Sequence, residues 1–509
     1  MSSFSSTVLL RGARVLQGDA LIDDGRSHDV LIQGDRIAAI EPAGTIASAD
    51  QLIALDRHLL CPGLINGHQH SHEHFQRGRT ENLPLELWMN LVRTRTPVHL
   101  TPRQIYLRTM IGAIEAIRSG CTTVVDDLAL GPSIAPERLD AVLQAYDDAG
   151  LRALVGFSMM DKPVIDSFPF VDEAVPAALL AELRGAPRPS AEDYLTLVRS
   201  RVRAGAHPRQ SRLGFILAPS APQRCSESFL RQIRALADEL DLPVITHVQE
   251  TRLQVVTGQL LFGSPMVEYL DRIGFLKPNT SLIHAVWLNP REIEALARTG
   301  ATAQHNPWSN LLLGSGVQPV RELLDAGVNL SLGSDGSCST VTSNMLNVMG
   351  AAAGVAKLRG DDPARWLSAR EVLSAATAGG ARALGYGDAL GTVRVGARAD
   401  LFACRTDRIS FTPLTDAVRQ LVYAERGASV DFSMIDGRTV MEQGQLCAVN
   451  EPALLAEIEA EYRELESRYA AAEAETLPVL EAVRTIYQRS LACAIAPDTF
   501  PARLVDRGR

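Results

Sequence analysis

Apolar and polar residues follow three rhythms along this chain. Up to about residue 60, short β-rich runs are punctuated by Gly or Asp: "TVLLRGARVLQ", "HDVLIQGDRIAAIEPAG" and "QLIALDRHLL". They predict a small sheet. From Pro62 the pattern becomes a short apolar run, a polar loop and a long amphipathic stretch, repeated. The run ending at His70 is followed by "GCTTVVDD", "LRALVGFSMM", "RLGFILAPS", "LPVITHVQE", "TSLIHAVWL", "GATAQHNP" and "VNLSLGSDG". Between most of them lie helical patterns such as "SESFLRQIRALADELD" and "NPREIEALARTG". Eight such units in series predict a (β/α)8 TIM-type barrel.

After residue 390 small strands return, in "LGTVRVGARADLFACR" and "SVDFSMIDGRTVMEQGQL". The two chain ends are therefore expected to share one small β-sandwich domain. The predicted division is 1–61 for its N-terminal part, 62–390 for the barrel, 391–449 for its C-terminal part and 450–509 for a helical extension. That extension opens "EPALLAEIEAEYRELESRYAAAEAE" and reads as a solvated or dimer-covering helix.

Composition narrows the function classes. The 509 residues are 46% hydrophobic, enough for a large core. A net charge of −9 and a pI near 5.7 argue against a nucleic-acid surface, which needs a basic stripe. All but three of the 50 basic residues are Arg; the lysines are Lys162, Lys277 and Lys357. Seven scattered cysteines without a C-x-x-C pair suit a reducing compartment. No window reaches the roughly 18 apolar residues of a membrane span. A cytoplasmic enzyme with a small-molecule substrate is the expectation.

Barrels of this type carry their chemistry at the C-terminal ends of the strands. Reading those ends gives His68 and His70 on the first strand, His247 and then Glu250 on the fifth, His284 on the sixth and Asp335 on the eighth. Imidazole and carboxylate from four strands thus face one rim, in a chain with only 11 histidines. These residue types are zinc ligands, and residues i and i+2 of a strand share a face, so His68 and His70 can converge on one ion. His72 and His74 lie beyond the strand, in "SHEHFQRG", and read as loop or rim residues. Asp126 and Asp127 end the second strand with no role assigned.

Taken in order, "PGLINGHQH", "THVQE", "IHAVWL", "HNPWSNLLLGSG" and "LGSDG" resemble the amidohydrolase superfamily. More narrowly they resemble its metal-dependent deaminase and chlorohydrolase branch, which includes cytosine, guanine and S-adenosylhomocysteine deaminases and the triazine hydrolases. The likeness runs from about residue 5 to 447 and includes "GARADLFACR" and "IDGRTVMEQGQL". It implies that His68, His70, His247 and Asp335 hold the metal, that Glu250 shuttles a proton to a ring nitrogen, and that His284 hydrogen-bonds the attacking hydroxide. "NLPLELWM" resembles the loop that covers substrate in this branch, which makes Trp88 a substrate contact. Gln76, Ser220, His305 and Trp308 are the other candidate contacts. Ser220, in "APSAPQRCS", stands where many relatives carry a substrate-contacting His, a departure that weighs against purine- and nucleoside-type substrates. None of the three lysines lies in "RLGFILAPSAPQ", so a carbamylated lysine bridging two ions is not expected and one divalent ion is, zinc or iron.

The expected activity is hydrolytic deamination of a nitrogen-rich heterocycle or amidine-like carbon, with Glu250, His284 and Asp335 in the catalytic roles. Loss of chloride, an alkylamine or a urea-type amide from a similar carbon is the alternative. A non-catalytic scaffold of this fold would be expected to have lost these side chains, and all are present. The deaminases of DNA and RNA bases use an H-x-E…P-C-x-x-C signature that this chain lacks. A homodimer is expected, since dimers are common among similar enzymes.

Overall fold

Apolar runs rich in Val, Ile and Leu are suited to strands covered on both faces. In the computed structural model, which describes residues 6–129, 131, 135–340 and 342–503, eight such runs form the barrel wall. The strands are Leu64–His70, Cys121–Leu128, Arg152–Phe157, Leu213–Phe215, Val244–Val248, Thr280–His284, Thr302–His305 and Leu330–Leu332. Neighbours pair in parallel, with Val124 opposite Ala153 and His247 opposite Ile283. A bridge between Leu217 and Val244 joins the fourth strand to the fifth. The pair Asp335–Gly336 then lies against Gln69 and His70, returning the eighth strand's end to the first. Residues 1–5 and 504–509 of the expected terminal segments lie outside the described residues.

One inward layer comprises Ile65, Val125, Leu154, Ile245 and Ile283, each from a different strand, with Ile216 just past the fourth, closed below by Ala381, Leu384, Tyr386 and Leu390. Filling the lower barrel this way leaves the polar strand ends as the chemically varied face. The outer helices turn one apolar stripe inward. Glu227–Leu240 starts at a Ser226 cap and buries Leu230, Ile233, Leu236 and Ala237. Pro290–Thr299 starts with a reciprocal Asn289–Glu292 capping box.

The chain ends meet in one nine-stranded sheet. Its two halves are stitched where His58–Pro62 pairs antiparallel with Leu401–Arg405. Leu10, Val30, Ile32, Leu60, Leu401, Phe432 and Met434 form its apolar core. A buried ion pair fastens this sheet to the barrel. Arg152, at the start of the third barrel strand, donates to both Asp400 oxygens at 2.9 and 3.0 Å and to Asp436 at 2.7 Å. Both Arg152 and Asp400 are buried, so the guanidinium has no water to fall back on.

The C-terminal helix, Glu451–Leu491, expected as a solvated or dimer-covering element, packs along its own chain. Its first half buries Leu454, Ile458, Leu465 and Tyr469 against the main core, and its second half buries Val479, Ala482, Val483 and Ile486. The charged residues that dominate its sequence occupy the outer faces, and several pair back to the barrel, as Glu457 does with Arg103 and Glu473 with Arg79. No helix among the described residues is long and apolar enough to cross a membrane.

Removing one partner of a buried ion pair strands the other charge. Asp400→Ala should therefore lower the free energy of unfolding by about 3–5 kcal/mol in denaturant titration; a loss under about 1 kcal/mol would mean that the pair does not fasten the sheet.

Candidate metal centre

The first barrel strand alternates sides, so His68 and His70 both project to one side of it, with Gln69 opposite. The fifth strand brings His247 alongside. Ring centroids lie 4.6 Å apart for His68 and His70, 4.9 Å for His68 and His247, and 5.5 Å for His70 and His247. One potential ligand nitrogen from each of these three buried residues falls within 4.8 Å of the others.

Backbone carbonyls orient two of the rings. His70 Nδ1 is 2.7 Å from the Asp127 carbonyl and His247 Nδ1 is 2.7 Å from the Ser220 carbonyl. A carbonyl only accepts, so each Nδ1 carries the proton and each Nε2 is left with a bare lone pair. Asp335 Oδ1 stands 3.4 Å from the Nε2 atoms of both His68 and His70. The ring nitrogens of His68 have no well-aligned hydrogen-bond partner among the described residues. Bare imidazole nitrogens beside a carboxylate, all buried, are costly to leave unpaired and are a suitable donor set for one divalent ion.

A second tier adjoins them. His284 Nδ1 donates to Asn310 Oδ1 at 2.9 Å, and its Nε2 faces Glu250 Oε2 at 3.4 Å and Asp335 Oδ2 at 3.7 Å. Ser315 donates to Glu250 Oε1 at 3.4 Å. Backbone strain collects here: Gln249, His284, Ala285 and Asp335 all have positive φ, between 42° and 70°. Non-glycine residues pay for that conformation and adopt it where surroundings enforce it.

Charge states follow from burial. Burial lowers the His70 pKa to about 3 and, despite the pull of Asp335, that of His284 to about 4; His247 is lowered as well by burial and its imidazole neighbours. These rings are neutral at physiological pH. Burial, with the charges of Asp335 and Glu86 adding to it, raises Glu250 well above the carboxylate range. Burial acts on Asp335 in the same sense, but the imidazoles of His68, His284 and His70 around it outweigh burial and hold its pKa well below the usual carboxylate value. Two carboxyl groups in one site are thus driven apart, one towards acid and one towards base.

A narrow cavity of about 30 Å³ opens over this cluster, lined by His70, Leu85, Trp88, Met89, Arg93, Arg224, His247, Glu250, Gln254, His284, Leu313, Asp335 and Ser339. Of the five candidate substrate contacts, Trp88 is among the lining residues, its indole N–H donating to the Cys338 carbonyl at 3.2 Å. The other four are placed elsewhere. Ser220 turns its carbonyl to His247 and its hydroxyl to Arg224, one layer behind the wall. His305 is buried at the end of the seventh strand, its pKa pushed down to about 3 by burial and by His284. Trp308 donates to the Asn347 carbonyl at 3.2 Å and packs on the main core. Gln76 is half-buried at the end of the turn Ser71–Gln76.

The remaining polar residues near the rim have structural partners. His72 Nδ1 accepts from the Ala129 amide, and the His74 ring fills the space that the absent side chain of Gly112 leaves. Asp126 accepts from the Ser71 amide and the Tyr146 hydroxyl, both at 2.8 Å. Glu73 reaches back to the Cys338 thiol at 3.3 Å, and burial beside Asp335 raises its pKa to about 8. Arg93 and Arg224 are cavity residues that the sequence did not flag: arginine is too common in this chain to be a signal.

Comparison with known proteins agrees with this geometry. A profile described as "Amidohydrolase family" matches residues 59–440. A 5'-deoxyadenosine deaminase of Methanothermobacter thermautotrophicus is 34% identical over 461 residues, 91% of this chain and 99% of the relative. A 5-methylthioadenosine/S-adenosylhomocysteine deaminase of Thermococcus kodakarensis is 33% identical, covering 86% of this chain and 94% of its own length. Among solved structures, an adenosine deaminase from Xanthomonas campestris with bound zinc aligns with a TM-score of 0.78 at 28% identity, over 91% of this chain and 98% of that one.

The cavity's cover, the helix Leu85–Val92, packs its Leu85, Trp88, Met89 and Val92 against Val479, Val483 and Ile486 of the C-terminal helix. Ile486→Ala should cost about 2–5 kcal/mol and speed hydrogen exchange in residues 85–92. Unchanged exchange there would detach the C-terminal helix from the mouth.

Proposed function

The chain belongs to the amidohydrolase family, and from that premise we propose that it is a zinc-dependent aminohydrolase: it releases ammonia hydrolytically from an amino-bearing carbon of a nitrogen-rich heterocycle. The observation that carries the proposal is the convergence of three buried imidazoles and the Asp335 carboxylate, with the buried Glu250 beside them, at the mouth of the barrel. His68, His70, His247 and Asp335 would hold the ion. When bound there, a divalent ion lowers the pKa of a water and supplies a nucleophile at neutral pH.

The protein groups do the rest. Asp335 accepts the proton lost by the attacking water. His284, with Nδ1–H committed to Asn310, presents Nε2 as an acceptor that orients that water. Burial favours the acid form of Glu250, which donates its proton to the ring nitrogen next to the attacked carbon, so charge does not build on the ring. The C–N bond then breaks: the proton held by Asp335 passes to the amino group, which leaves as ammonia, and the proton of the added hydroxyl returns to Glu250 as the carbon becomes a carbonyl. Trp88 and Met89 cover the cavity and limit entry of bulk water. Relatives named for 5'-deoxyadenosine and 5-methylthioadenosine support an adenine-type ring, against the expectation drawn from Ser220.

The test is ammonia release from a panel of aminopurines, aminopyrimidines, aminotriazines and aminopteridines, with adenosine and 5'-deoxyadenosine included. Glu250→Gln should lower kcat on the best member by about 10²–10⁴-fold without lowering the unfolding midpoint. Because the acid form of Glu250 is the working one and burial raises its pKa, activity should fall as pH rises through that elevated value. The variant should lose this alkaline limb. A loss of under tenfold, or an unchanged alkaline limb, would remove Glu250 from the proton transfer.

A further inference from the structure

Two guanidinium groups line the cavity without an acid to neutralise them. Arg224 follows the fourth barrel strand in the short turn Pro222–Arg224, and Arg93 follows the helix Leu85–Val92. Arg224 is 6% exposed. Its Nη1 donates to Ser220 Oγ at 3.1 Å and its Nη2 meets only the Met89 thioether, at 2.9 Å. The Nε atoms of both arginines are buried with no hydrogen-bond partner among the described residues. No carboxylate of the described residues stands within ion-pair distance of either group, although this chain pairs arginines readily elsewhere, as Arg152 and Arg79 do.

A buried guanidinium is ordinarily paired or fully hydrogen-bonded, because desolvating the charge is expensive. Two of them lining one cavity repel each other: burial and the charge of Arg93 lower the Arg224 pKa to about 10. A purely structural role does not account for Arg224, since a thioether and one hydroxyl are poor compensation for its charge, and Arg93 is half-buried beside it with its Nε unpaired among the described residues. The acids that share the cavity are engaged elsewhere, Asp335 with the imidazoles and Glu250 facing His284. A divalent ion at the centre would make the cavity still more positive.

We infer that Arg93 and Arg224 are a specificity pair that receives a carboxylate carried by the heterocyclic substrate. The planar fork of each guanidinium matches the two oxygens of a carboxylate, and binding one would pair Nε donors that otherwise have no partner. The inference rests on the deaminase reading for the ring, but binding of the carboxylate can be tested without turnover.

The experiment is isothermal titration of the purified protein, with its resident metal, using pyrimidine-5-carboxylate, pyrimidine-5-carboxamide and pyrimidine. The carboxylate should bind at least tenfold more tightly than the carboxamide. Arg224→Met and Arg93→Met should each bring the two to near parity, with Arg224→Lys retaining part of the preference and circular dichroism unchanged in all three. A carboxylate preference that survives both Met substitutions would place the carboxylate on the metal and overturn the inference. So would equal binding of the carboxylate and carboxamide to the unaltered protein, or no binding of either. If the preference is found but no amino-heterocycle releases ammonia, the deaminase reading fails and the arginine pair stands.

Discussion

Imidazole nitrogens stripped of partners inside a closed barrel are the constraint around which the rest of this molecule is organised. An apolar wall alone would not keep His68, His70 and His247 within 5.5 Å of one another, ring centroid to centroid. Their orientation is fixed instead by backbone carbonyls of neighbouring strands: Asp127 for His70 and Ser220 for His247. Each is supplied by the end of a different parallel strand, so the register of the barrel sets which nitrogen faces inward. Positive φ angles at Gln249, His284, Ala285 and Asp335 are the local strain that this arrangement stores.

The outer layers serve that centre by restraining its two ends. Below, the nine-stranded sheet is tied to the third barrel strand through Arg152, Asp400 and Asp436. Above, the helix carrying Trp88 and Met89 is backed by Val483 and Ile486 of the long C-terminal helix. The segment after that helix also returns to the site: Val317 donates to the Ala502 carbonyl, next to the loop that supplies Asn310 and Ser315 to His284 and Glu250. A part of the chain that reads as accessory thus supports the cover of the cavity and the loop behind its acid.

What the residues disclosed in advance depended on how local the cause was. Each barrel strand is a short apolar run bounded by Gly, Asp or Pro, and the period-two rule places His68 and His70 on one side without any tertiary information. The eight-unit series and the shared sheet of the chain ends were legible for the same reason. The apolar stripe of Glu451–Leu491 is diluted over 41 residues of charge, so its docking surface was not legible. Trp308 and His305 sit in a motif that reads as chemical, yet the turn directs one towards Asn347 and buries the other behind the wall. Arg93 and Arg224 come from segments far apart in sequence, and only folding brings both to the same cavity.

The central claim is that the three imidazoles and Asp335 hold one catalytic divalent ion. Metal analysis of the purified, dialysed protein, paired with that of His247→Ala, tests it most directly. The account predicts about one zinc or iron per chain in the unaltered protein and a sharply depleted content in the variant, whose fold is otherwise intact. Active protein without a stoichiometric divalent ion, or a full complement in His247→Ala, would contradict it.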